Sequence, residues 1–149
     1  AKGYIVDRMS EILRRNGFRG FLVNAGDLYA SGRWEVGIRD PDNPPGKPVC
    51  LLTVKDRAVS TSGLYERGPH IIDPRSPRLQ RPVSPLKSVS VIAKESVLAD
   101  ALATGAFVLG KDRLQGLEGR VSGIVFIDSG GEIGTVGRVS ARCREDRDN

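Results

Sequence analysis

Asp100 and Thr104 stand four residues apart in SVLADALATGAFVLG, residues 96–110, a run that is otherwise almost wholly apolar or small. At that spacing two side chains share one helix face, with Cβ atoms about 5–6 Å apart, so a carboxylate and a hydroxyl can offer oxygens to one point. A hard cation such as magnesium takes oxygen ligands and leaves positions for substrate phosphate. A carboxylate left charged in apolar surroundings costs several kcal/mol unless a cation or hydrogen-bond donors meet it. The same residues admit a reading without metal, in which Thr104 bonds back to the Asp100 carbonyl and Asp100 pairs with an arginine elsewhere. Gly105 costs about 1 kcal/mol relative to alanine inside a helix, and close approach of a ligand or another backbone is one reason to tolerate it.

His70 is the single histidine of the chain. Imidazole is the side chain whose unperturbed pKa lies near neutrality, which suits a general base, although between Pro69 and Ile71 a lone histidine also reads as a structural residue. Ser60, Thr61 and Ser62 precede Gly63 and can donate hydrogen bonds to phosphate or adenine, or be ordinary strand-end residues. Arg75, Arg78, Arg81 and Lys87 make one region basic, read as a solvated loop in preference to an anion-guiding rim.

These groups need elements to carry them. From Tyr4, the residues Ile5, Met9, Ile12 and Leu13 recur at helical spacing opposite Arg8, Glu11, Arg14 and Arg15, with Gly17 as the stop, which predicts an amphipathic helix buried on its apolar side. GFLVNAG reads as a buried strand delivering a tight turn at Asn24, Gly26 and Asp27, whose residue types suit such a backbone. RWEVGIRD alternates Trp34, Val36 and Ile38 against polar neighbours, a half-buried strand. PDNPPGKP is a loop, since proline cannot donate to a sheet ladder.

VCLLTVKDRAVSTSG predicts a hairpin turning at Lys55, Asp56 and Arg57; HIID is one strand fragment and DPRSPRLQRPVSP is loop. LKSVSVIA is a strand, and Ser96 is expected to cap a second helix from Val97, apolar all round and so buried on most sides. GIVFID and EIGTVGRV flank Ser129, Gly130 and Gly131 as a hairpin, and RCREDRDN reads as a solvated tail. Two main helices among strands joined by hairpin-like turns predict an α+β fold with a largely antiparallel mixed sheet. We expect one domain over 1–140 and a charged tail over 141–149.

Hydrophobic residues at 39% and charged residues at 28% exclude a disordered chain. The net charge of +5 favours anionic partners without naming one. A nucleic-acid binder would rest on that charge alone, since aromatics are few and no basic stripe is clustered, so no nucleic acid is expected. Cys50 and Cys143 fit no zinc or dithiol pattern and read as free thiols. No apolar run approaches the roughly twenty residues of a membrane span, and AKGYIVDRMS lacks the features of a signal peptide. The absence of an initial Met reads as the later part of a longer protein.

With its surroundings, ADALATGAFVLG resembles the late motif of the ApbE family, the FAD:protein FMN transferases. AKGYIVD resembles that family's Lys-Gly-Tyr helix start, NAGDLYASG its Asn-Gly-Asp turn, and WEVGIRDP its Trp-x-Val-Gly-Ile-x-Asp-Pro strand. STSGLYER and HIIDPRS resemble its Thr-Ser-Gly and His-Ile-x-Asp-Pro-Arg segments, all in the family's order. The resemblance implies an ApbE-like, T-fold-like half that transfers the FMN portion of FAD to a Thr or Ser hydroxyl of a target flavoprotein, releasing AMP, or hydrolyses FAD to FMN and AMP. It implies that Asp100 and Thr104 hold Mg2+, that His70 contacts FAD and helps deprotonate the acceptor, and that Lys2, Ile71 and Ser62 contact FAD. Asp73, Pro74 and Arg75 would shape the turn that aims His70. An extracytoplasmic, membrane-anchored parent protein is a further implication.

The sequence departs from the family in several places. Members are longer, and their earlier half carries part of the FAD pocket; the Asp and Gly before the helix start, with a backbone carbonyl serving as third metal ligand, have no counterpart here. The expected partner is therefore a missing amino-terminal half or another chain. NAGDL has lost one glycine, Ser76-Pro77 replaces the usual Thr-Gly, and the segment between Arg67 and His70 is short, all of which bears on loop geometry near His70. The competing expectation is a FAD- or nucleotide-binding module that keeps the fold without full catalysis.

Overall fold

The computed structural model describes residues 1–43, 45–65, 71–75 and 86–144. Helix α1 (Lys2–Arg15) leads into the short strand β1 (Leu22–Asn24) and the long strands β2 (Leu28–Ile38) and β3 (Cys50–Gly63). Strand β4 (Leu86–Ala93), helix α2 (Ser96–Leu109) and a 3-10 helix (Lys111–Leu117) follow, then β5 (Gly123–Asp128), β6 (Ile133–Gly137) and β7 (Ala141–Cys143). The seven-stranded sheet runs β1-β2-β3-β4-β5-β6, with β7 added to β3. Every strand pairing is antiparallel, as the hairpin-like turns in the sequence predict.

The segment predicted as a hairpin around Asp56 is one continuous strand of 14 residues. The charged triplet marks a bend, not a reversal. Asp56 takes a left-handed backbone with φ 50° and accepts the Gly32 N–H at 2.7 Å, while the β2–β3 register shifts between Ala30 and Arg33. Such a bulge sharpens the local twist, so β3 pairs β4 along its second half and β7 along its first. Two cores result. One packs Val89, Val91, Ile124 and Phe126 under α2; the other holds Val36, Leu52, Val54 and Val125 on the opposite side.

The chain end is not the solvated tail expected from Arg142 onwards. Residues Ala141–Cys143 pair with Cys50–Leu52, and Cys143 lies opposite Cys50 in register, where the two form a disulfide. They are not free thiols; their separation of 93 residues hid the pairing from any local pattern. Arg144 also reaches the buried Asp40 at 2.6 Å. Residues 145–149 lie outside the described chain.

Helix α1 buries a face beside the one its apolar residues predict, and of Ile5, Met9, Ile12 and Leu13 only Leu13 packs against the core among the described residues. Gly3, Val6 and Ser10 are buried, whereas Ile5, Met9 and Ile12 are 51%, 45% and 60% exposed. The cause is a close helix crossing that only small residues allow: a Cβ on Gly3 would lie 2.3 Å from the Ser96 carbonyl oxygen. Gly17 ends the helix as expected, at φ 81°. Helix α2 is buried on most sides, as its apolar composition predicts, but not on all. Ala99, Ala103, Ala106 and Phe107 form its buried stripe, while Val97, Leu98 and Thr104 face outward.

Ser96 does not cap α2; it is buried inside the first turn, and its hydroxyl has no hydrogen-bond partner among the described residues. The cap comes from α1. Asp7 accepts the N–H groups of Ser96 at 2.8 Å and Val97 at 2.9 Å, satisfying two of the donors that every helix start leaves open. Among the described residues no helix is long and apolar enough to cross a membrane.

Removing this borrowed cap should be costly. We expect Asp7→Ala to lower unfolding free energy by about 1–2 kcal/mol in urea titrations, the usual range for a lost cap. Glu95→Ala, at the formal cap position with no side-chain bond, should stay within about 0.5 kcal/mol. Equal effects would contradict the assignment.

Candidate functional site

The crossing of α1 over α2 opens a cleft of about 390 Å³ beside the end of β3. Lys2 lines it from α1, Gly26 from the turn before β2, Ser62 and Gly63 from β3, Ile71 and Ile72 from the loop after it, and Asp100 and Thr104 from α2. Five sequence-predicted site residues, Lys2, Ser62, Ile71, Asp100 and Thr104, therefore meet in one place. His70, the expected base, lies outside the described residues.

Each side chain arrives by a local rule. Along β3 alternate residues face α2, which brings Ser62 Oγ to 3.2 Å from Thr104 Oγ1. Helical spacing places Thr104 one turn beyond Asp100, and its hydroxyl also lies 3.4 Å from the Asp100 carbonyl oxygen. That backbone bond is the one the metal-free reading predicts. The other half of that reading fails, because Asp100 meets no arginine among the described residues. Its Oδ2 accepts the Gly3 N–H at 3.0 Å and lies 3.4 Å from the Ala1 amino group.

Asp100 is thus answered by the amino end of α1, where unpaired N–H groups and the helix dipole favour an anion. Its side chain is 22% exposed, facing the cleft instead of an oily interior. No other backbone approaches Gly105 closely among the described residues, since a Cβ there meets nothing within 4 Å.

The donor set suits a hard cation. Asp100 Oδ1 carries no hydrogen bond among the described residues, and Thr104 Oγ1 has only long hydroxyl and carbonyl neighbours. No three His, Cys, Asp or Glu side chains gather among the described residues; Asp100 and Thr104 are the oxygen-bearing pair that could hold an ion here, with further ligands to come from phosphate or water.

The loop carrying Ile71 is not the strand fragment predicted for HIID; residues 71–73 have no regular structure. Arg75 ties it down. Its guanidinium forks Asp73, with Nε and Nη2 at 2.9 and 2.7 Å, and Nη2 also donates to the Val108 carbonyl of α2 at 3.1 Å. The Arg75 hydrogen bonds hold the Asp73 carboxyl down to about 2, and the carboxylate in turn raises Arg75. Lys87 pairs with Asp42 at 2.7 Å. Neither Arg75 nor Lys87 is a free rim cation, and Arg78 and Arg81 lie outside the described residues.

Sequence reasoning missed Gly3 and Tyr65 at this site, named Ser60 only within the Ser60–Ser62 run, and treated Asp27 as a turn residue. The turn is real, with Asn24 Oδ1 accepting the Gly26 N–H at 3.0 Å, but Asp27 also lies buried against Lys2 and Ser60. The signal available was the serine run after Ala58, whose alternation aims Ser60 and Ser62 at one side.

A family model described as the ApbE family matches residues 1–126. A FAD:protein FMN transferase of Treponema pallidum is 35% identical, over 76% of this chain and 37% of that protein. The Salmonella typhimurium protein of the same name is 30% identical, over 85% and 40%. The crystal structure of the ApbE protein from Thermotoga maritima superposes with TM-score 0.76 at 30% identity, covering 91% of this chain and 48% of that one. The flavin transferase ApbE from Vibrio cholerae gives 0.70 at 26%, covering 93% and 48%. The chain spans less than half the length of these relatives.

Two outcomes follow from the geometry. Alanine in place of glycine within a helix ordinarily gains about 1 kcal/mol, and Gly105→Ala should do so. Gly3→Ala should instead lose about 1–3 kcal/mol, because the added methyl meets backbone and the helices must part. Stabilisation by Gly3→Ala in thermal melts would refute the close crossing. Asp73, at about 2 folded against an ordinary 3.8, stabilises its loop fully above pH 3.8, and this is lost as pH falls through about 2. Asp73→Asn should remove that acid-dependent step from amide exchange near Ile71; an unchanged step would contradict the fork.

Proposed function

Because the chain belongs to the ApbE family, we propose that it is the metal-bearing part of a FAD:protein FMN transferase, supported above all by the single cleft that joins Lys2, Ser62, Ile71, Asp100 and Thr104. In the proposed reaction a Thr or Ser hydroxyl of a target flavoprotein attacks the phosphorus of the FMN half of FAD. A new phosphoester bond forms there, the bond to the bridging oxygen breaks, and AMP departs with that oxygen.

The chain's own residues bind and orient. Lys2 brings an ammonium to the diphosphate, Ser62 a hydroxyl and Ile71 an apolar contact. His70, preceding Ile71 in the chain, accepts the proton of the attacking hydroxyl, which is worth roughly 10² to 10⁴ in rate. Asp100 and Thr104 would hold Mg2+, which when bound neutralises charge on the diphosphate and the departing AMP. A volume near 390 Å³ lies within the range for small-molecule sites, about 300–1,000 Å³, but toward its lower end for a dinucleotide.

The remainder of the pocket comes, in this reading, from an amino-terminal half or a partner chain. What supports it is the outward apolar stripe of Ile5, Met9 and Ile12, with Val97 and Leu98 on α2, beside the shortness of this chain against its relatives. The Cys50–Cys143 disulfide supports an oxidising, extracytoplasmic location, since such bonds are rare in the cytosol.

Incubation with FAD, Mg2+ and an acceptor protein should release AMP and leave the acceptor flavinylated. Asp100→Asn keeps the Gly3 hydrogen bond but removes the charge, and should abolish metal-dependent release while melting with the wild type. His70→Ala should slow transfer by at least about a hundredfold, more than it weakens FAD binding. Tight FAD binding without AMP release would recast the protein as a binding module, and parallel loss of rate and affinity in His70→Ala would make that residue a binding group.

A further inference from the structure

Asp27 is a buried carboxylate behind the cleft wall that Lys2 and Gly26 form. Its side chain is 0% exposed, Ser60 Oγ donates to its Oδ1 at 2.6 Å, and its Oδ2 has no hydrogen-bond partner among the described residues. An ionised carboxylate in such a position needs a counter-charge, and one hydroxyl does not supply it. The cation that faces it is Lys2, whose Nζ lies 3.5 Å from Oδ1 while its side chain remains 41% exposed toward the cleft.

The turn is shaped around that lysine. Gly26 has φ 95°, and a Cβ there would come within 3.4 Å of both Lys2 Cδ and Nζ. The Lys2 stem therefore lies across the bare backbone of Gly26, with its ammonium between a buried anion and the cleft. A lysine at the start of a helix ordinarily sweeps a wide volume of solvent. Here its charge is confined to one wall.

We propose that Asp27 is a positioning residue which, held by Ser60, fixes the Lys2 ammonium against the cleft so that it meets the diphosphate of a bound nucleotide without first losing conformational freedom. The role rests on the flavin-transfer reading for the identity of the ligand, though not for the existence of the pair. It is asymmetric. Loss of Lys2 strands a buried charge and weakens the fold, whereas loss of the Asp27 charge frees Lys2 and weakens the ligand.

A double-mutant cycle separates these roles. Lys2→Met should lower the melting temperature in the wild-type background and leave it unchanged in the Asp27→Asn background; additive shifts would overturn the pairing. In fluorescence titrations with FAD and Mg2+, Asp27→Asn should raise Kd about tenfold, and the double variant should bind no more weakly than Lys2→Met alone. Asp27→Glu should recover part of the affinity. Unchanged Kd in Asp27→Asn, whatever its stability, would reduce Asp27 to a structural residue. Magnesium pyrophosphate is the second probe. If the wild type binds it but not FAD, a loss in Asp27→Asn supports the pair while the FAD reading fails. Binding of neither probe overturns both.

Discussion

The carboxylate of Asp100 set against the amino end of α1 is the contact on which the site depends. Two helices meet there because Gly3 has no side chain, and the meeting lets the Gly3 N–H reach Asp100 Oδ2 while Oδ1 carries no hydrogen bond among the described residues. The reverse bond runs alongside it, with Asp7 of α1 accepting both first-turn N–H groups of α2. Each helix thus completes the other's terminus. Lys2, which precedes Gly3, is delivered to the cleft by the same crossing.

The sheet supplies the second wall. A bulge at Asp56 and Gly32 bends the long β2–β3 ribbon, so the end of β3 runs beneath α2 while its beginning accepts β7. Ser60 and Ser62 consequently meet different partners, Ser60 the Asp27 carboxylate beside Lys2 and Ser62 the Thr104 hydroxyl one turn from Asp100. The Asp73–Arg75 fork, anchored on the Val108 carbonyl, closes the third side. Far from the cleft, the disulfide and the Arg144–Asp40 pair fasten the chain end to β2 and β3.

Much of this was readable in the sequence because it is local. Period-two alternation located β4 and the later part of β2, the Ser129-Gly130-Gly131 turn located the β5–β6 hairpin, and helical spacing joined Asp100 to Thr104. What escaped reading is what depends on a partner distant in the chain. The apolar stripe of α1 pointed to the wrong buried face because its size would prevent the approach that Gly3 and Ser10 permit. Lys55-Asp56-Arg57 looked like a turn because the bulge that absorbs it lies on β2. Cys50 and Cys143 looked free, and Ser96 looked like a cap, because neither β7 nor Asp7 is a neighbour in sequence. Asp27 looked like a turn residue, which it is; its second duty toward Lys2 needed coordinates.

Paramagnetic broadening tests the central claim most directly. With Mn2+ as the probe in place of Mg2+ and FAD present, amide signals of Gly3, Ser62, Asp100 and Thr104 should broaden first, and Asp100→Asn should abolish the effect. Broadening centred instead on Asp128 and Glu132, or unchanged by that substitution, would contradict a metal and diphosphate site between these helices.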